Sequence, residues 1–136
     1  MAVSLTPYLK AVSEAEDPKK EILKWTGSLK KEKLVGDRVL VATYARPSRT
    51  ESGLYLSDSM SVEDRFQGTV GLLLLVGDSA FKYDGSFQLE GAIPKVGDFV
   101  IYRPADGFEI AFRKASCRVF RSESIIGIAS DPLLYY

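Results

Sequence analysis

The side chains that most often carry enzymatic chemistry are scarce in this sequence. It contains no histidine and a single cysteine, Cys117. Without histidine there is no Ser–His or Cys–His nucleophile, and an ordinary zinc site lacks its ligands. One thiol cannot close an internal bridge, so a disulfide framework is excluded as well. Neighbouring carboxylates occur at Glu63-Asp64 and at Glu14 with Glu16-Asp17. They lie in segments of mixed charge, where they read as solvated surface acids. No glycine-rich phosphate loop follows a strand and opens a helix, so nucleotide binding has no support. Cys117 sits in an alternating strand beside Arg118, the setting of a small core residue. An enzyme is not expected, and neither is a metal or a cofactor.

The chemistry that remains is adhesive. Arg46 to Gln67 is rich in serine and charge, yet it holds one apolar island, Leu54-Tyr55-Leu56, directly after Gly53. A connection of about twenty residues in a small domain is more often functional than not. The island has two readings: a short strand tucked against its own domain, or a grip on another molecule.

The chain that must position this island has 136 residues and a mass of 15.0 kDa, the size of one domain. Apolar residues make up 46%, enough for a core and too many for a disordered chain. Lysine plus arginine balances aspartate plus glutamate at 18 each. The basic excess expected of a nucleic-acid binder is therefore missing. Lys30-Lys31-Glu32-Lys33 is too short and too neutralised to supply it. The most apolar run, Leu72 to Val76, is bounded by Gly71 and Gly77 and falls far short of the roughly 20 residues of a membrane span. The first residues lack a basic start followed by an apolar stretch, so no targeting signal is read there. A soluble, cytoplasmic protein is the expectation.

Residues 1–33 form an arm that differs from the rest. Asp17 and Pro18 supply an N-cap and a first-turn proline, and Ile22 and Trp25 follow at helical spacing up to Gly27. A short amphipathic helix over about 18–26 follows, with Leu29 beyond it. So short a helix is not stable alone, so Trp25 packs against its own domain or against another chain. From residue 34 the pattern turns to short strands: Arg38 to Tyr44, Thr69 to Val76, Phe99 to Tyr102, Phe108 to Phe112, Cys117 to Phe120 and Ile125 to Ile128. Gly71 interrupts the second, which suggests a bulge or a close backbone approach. Asp106-Gly107 is a turn signal before the fourth. Short strands without long helices between them predict an antiparallel barrel or sandwich.

Five motifs then occur in a telling order: Gly36-Asp37-Arg38-Val39-Leu40-Val41; Ser52-Gly53-Leu54-Tyr55-Leu56; Gly68-Thr69-Val70 with Val76-Gly77; Val96-Gly97-Asp98-Phe99-Val100-Ile101-Tyr102; and Ser122-Glu123-Ser124-Ile125-Ile126-Gly127-Ile128. Each is weak alone, but their order and spacing resemble the GroES-type co-chaperonin (chaperonin-10) family. The resemblance implies an all-β fold, a small GroES-like β-barrel over 34–136, preceded by an N-terminal extension containing a short helix. It implies a homo-oligomer, a heptameric ring, that caps a GroEL-type chaperonin. Residues 46–67 take the place of the family's mobile loop, and Gly53, Leu54, Tyr55 and Leu56 that of its docking motif. Residues 78–95 take the place of the hairpin that roofs the dome. Zinc-dependent alcohol dehydrogenases hold a related barrel, but the ligand inventory removes them.

The chain departs from the family in its arm, in extra residues around Gly71-Leu72-Leu73, in Ser52-Gly53 for the usual Gly-Gly, and in the bulky Tyr55. Such divergence suits a phage-encoded member. It also keeps open a second reading, a capsid decoration protein of a virion whose partner is a viral capsid protein. In either case Ile22, Trp25 and Leu29 are candidates for an assembly arm.

The energetics require several subunits. Burying three large side chains yields about 1.5–3 kcal/mol each, while ordering about ten loop residues costs roughly 1–2 kcal/mol apiece. One loop binds weakly or not at all. In a ring, each later contact is intramolecular, with avidity gains on the order of 10² or more.

Overall fold

The computed structural model describes residues 6–45, 69–81 and 93–132. Two short helices open the chain, α1 (Thr6–Glu14) and α2 (Pro18–Thr26). The second has the predicted bounds for the predicted reasons. The Asp17 side chain accepts from the Lys20 amide at 3.3 Å, and Pro18 fills the first turn. Gly27, at φ 68°, ends the helix by donating its N–H to Leu23 O at 2.9 Å. The first helix was not expected. Its Tyr8, Leu9 and Val12 lie on one side and are buried together with Ile22.

Neither helix is long enough to persist alone, and both dock on the sheet. Tyr8, Leu9, Val12 and Ile22 pack with Leu40, Ala42, Leu72, Leu74, Ala115 and Cys117. Burial of Leu9, Val12 and Ile22 contributes about 1.5–3 kcal/mol each. Trp25 meets Tyr8 edge-to-face at 5.9 Å between ring centres, and its Nε1 donates to Glu21 Oε1 at 3.1 Å.

Six strands follow: β1 (Arg38–Thr43), β2 (Val70–Val76), β3 (Phe99–Tyr102), β4 (Phe108–Phe112), β5 (Ala115–Arg121) and β6 (Ile125–Ala129). They form one antiparallel sheet in the order β4-β5-β1-β2-β3-β6. The central strands are buried on both faces. Leu40 and Ala42 of β1 face the helices, whereas Val39 and Val41 face a second cluster with Leu73, Ala80, Phe81, Val100, Tyr102 and Phe120.

Of the two readings of Gly71, a bulge or a close backbone approach, the structure shows the close approach, and a bulge of β2 lies further on. Leu40 pairs with Leu75 and Val41 with Leu73, so Leu74 is the extra residue. A bulge there turns both Leu74 and Leu75 toward the helices and keeps each rung's side chains on a common face. Without it a one-residue slip would invert the pattern. Gly71 is instead the close approach: an added Cβ would lie 2.5 Å from Ala42 O and from Val41 Cγ1.

The sheet is strongly curled. β5 and β3 are three steps apart, about 14 Å if the sheet were flat. Yet the rings of Phe120 and Tyr102 stand only 4.5 Å apart across the inner cluster. This is the curvature of a small barrel, although among the described strands β4 and β6 remain edges.

Candidate docking site

The motif expected to grip a partner, Gly53 with Leu54, Tyr55 and Leu56, lies outside the described residues, as does the rest of 46–67. Most of the proposed roof segment, 82–92, lies outside them too. What the structure does show is the platform that carries the 46–68 connection. Thr43 pairs with Gly71, so the connection leaves β1 and enters β2 at neighbouring positions on the two central strands.

That root is held by buried hydrogen bonds from two tyrosines. On the β1 side, Tyr8 of α1 donates its hydroxyl to Thr43 O at 2.7 Å. On the β2 side, Tyr102 of β3 donates to Val70 O at 3.3 Å, and its amide donates to Thr69 O at 2.8 Å. Thr43 Oγ1 also lies 3.1 Å from Ser116 Oγ, tying the root to β5. Tyr44 and Ala45 are both buried, and the Tyr44 ring meets Phe99 edge-to-face at 6.0 Å. Burial pushes the Tyr8 phenol well above its ordinary range, with Cys117 and Tyr102 adding to the effect. Burial likewise raises Tyr102, against an opposing pull from Arg118. Both phenols therefore stay protonated and remain donors at neutral pH. Tyr8 and Tyr102 were not singled out from the sequence; the Thr6-Pro7 start ahead of Tyr8 was the available signal for α1.

The proposed arm residues are all placed. Ile22 is fully buried, and Trp25 and Leu29 pack against the same cluster. Of the two partners open to Trp25, the structure shows contact with its own domain. Cys117 is wholly buried as expected of a core residue, and burial pushes its thiol up to about 12. A thiol so protonated is a poor nucleophile. Among the described residues no group of three or more acidic, Cys or His side chains could hold a metal ion. Among them, too, no helix is long and apolar enough to cross a membrane.

Large apolar side chains do reach the surface at the sheet's margins. Phe108 and Ile110 are exposed on β4, Ile126 and Ile128 on β6. An edge strand bearing such residues is a template for pairing with another chain.

A family model, the chaperonin 10 kDa subunit, matches residues 31–129. The match takes in all six strands and the root of the 46–68 connection, and it begins after α2. The chain belongs to this family, that of the GroES co-chaperonins, and its role is in general that of a co-chaperonin. The family implies a GroEL-type chaperonin as partner, and oligomerisation; its members are not enzymes. No curated protein matches the chain.

Proposed function

We propose that the chain is a non-enzymatic, cytoplasmic co-chaperonin whose subunits assemble into a heptameric ring that lids a chaperonin and assists protein folding. Each subunit offers Leu54, Tyr55 and Leu56, with the adjoining Gly53, to an apolar groove on the chaperonin. The observation that supports this most is the root of the 46–68 connection. A polar segment with one apolar island starts and ends on neighbouring positions at the buried ends of the two central strands, fixed by Tyr8 and Tyr102. A base held by buried hydrogen bonds fixes where the connection that carries the apolar island leaves the sheet and returns to it. The exposed apolar residues of β4 and β6 support self-association, which the weak single-loop energetics demand.

The arm serves the subunit on which it is packed. Its outward side, where Leu23 is 42% exposed, is the part left for neighbours.

The test is a charge in the tip. Tyr55→Asp and Leu56→Asp are expected to leave the ring intact by light scattering and to abolish chaperonin binding. Unchanged binding by an intact ring would refute the docking assignment. Binding to capsids, with none to chaperonin, would favour the shell-protein reading.

A further inference from the structure

The turn between β4 and β5 is unusual for its composition. Phe112 pairs with Ala115, which leaves Arg113 and Lys114 alone between the strands. Both have positive φ, 50° and 71°. Two-residue hairpins favour this left-handed form because it matches the strands' twist, and Asn-Gly adopts it readily. In arginine and lysine the Cβ crowds the backbone, so the conformation is strained.

The Arg113 side chain shows what this turn holds. Its Nη1 donates to Thr26 O at 3.1 Å, a carbonyl in the last turn of α2. The guanidinium carbon lies 5.0 Å from the centre of its neighbour's ring, Phe112. A cation in this place also faces the negative end of the α2 dipole. Gly27 leaves it room, since a Cβ there would come within 2.7 Å of Arg113 Nη1. Beyond this contact, residues 27–37 contain turns but no helix or strand.

We propose that α1 and α2 form a strap across the outer face of the sheet, with the Arg113–Thr26 contact as its clasp. The strap opens and closes as a unit while the sheet stays folded. Closed, it covers Leu40, Ala42, Leu72, Leu74 and Cys117. Opening frees Tyr8 from Thr43 O, at the root of the 46–68 connection. The 27–37 segment holds no strand pair to break, and its Leu29 and Leu34, packed on the same cluster, lift away with the helices.

Cys117 provides the test. It is the chain's one cysteine, fully buried in the cluster under the helices, so a thiol reagent such as Ellman's reports each opening of the strap. Arg113→Gly removes the clasp and relieves the left-handed strain. Lys114→Gly relieves strain and keeps the clasp. Arg113→Met keeps an aliphatic stem without donors. Under native conditions, Arg113→Gly and Arg113→Met are expected to label Cys117 roughly tenfold faster or more, with Lys114→Gly at the parent rate. Equal rates for Arg113→Gly and Lys114→Gly would overturn the clasp. Labelling rates that follow the global unfolding equilibrium in every variant would overturn the strap, because the arm would then open only with the whole domain.

Discussion

Replacing Ile22 by alanine asks whether the N-terminal arm belongs to the folded domain. Ile22 is 0% exposed and contacts both α1 and the sheet within one cluster. The substitution deletes three carbons, worth about 0.8 kcal/mol each on transfer. The cavity left behind adds to this, and buried Ile→Ala changes cost about 2–5 kcal/mol in all. Alanine is the better helix former, which returns a few tenths of a kcal/mol, up to about 0.5. A net loss of about 2–4 kcal/mol follows. For a domain of this size each kcal/mol moves the midpoint by about 4 °C, so the melting temperature should fall by roughly 8–16 °C. Leu23→Ala is the control: it lies one residue on, in the same helix, and is 42% exposed. Its cost should stay below about 1 kcal/mol. The assay is thermal and urea unfolding followed by the far-UV signal of the sheet rather than by Trp25. If Ile22→Ala costs no more than Leu23→Ala, the arm does not share the sheet's core and the packing argument fails.

Two further outcomes follow from the interior. Gly71→Ala must place a Cβ 2.5 Å from the Ala42 carbonyl oxygen and 3.0 Å from the Tyr102 hydroxyl; because backbone cannot swing away, a loss of about 1–3 kcal/mol or more is expected in urea unfolding, and a neutral effect would contradict the close approach of β1 and β2. Stability should also fall in alkali. The Cys117 thiol, ordinarily ionising at 9.0, is held up to about 12 in the fold, so between those values the unfolded chain loses its proton first. Ionisation therefore favours unfolding as pH rises, by up to about 1.4 kcal/mol per pH unit for one group. Tyr8 and Tyr102, both raised, extend the loss above pH 10.0. Cys117→Ala should flatten the first part of this decline in pH-dependent urea titrations, and constant stability up to pH 11 would refute the burial of all three groups.

The strands were legible because their signals are local. Phe99–Tyr102 and Phe108–Phe112 have the expected bounds, the latter preceded by a 3-10 turn over Pro104–Asp106 that Gly107 ends, and α2 is delimited by Asp17, Pro18 and Gly27. At Gly71 the close approach holds, and the bulge itself could not be placed from sequence for an equally local reason. Leu72 to Leu75 are identical in type, so no alternation marks which one is extra; only pairing with β1 selects Leu74. Helix α1 was missed because three buried residues, Tyr8, Leu9 and Val12, make too thin a stripe over nine positions. The tyrosine bonds at the root of the 46–68 connection and the Arg113–Thr26 contact, 87 residues apart, depend on tertiary approach and leave no local trace. The family resemblance was carried by motif order, and it covers the span that the family model matches. Both helices of the arm lie before that span, so neither motif nor family speaks to them.

Sedimentation of the unaltered chain with a GroEL-type chaperonin, in the presence and absence of ATP, tests the central claim most directly. Co-sedimentation as an oligomer, dependent on nucleotide, is the expected result. A chain that stays monomeric and never moves with the chaperonin under either condition would contradict it.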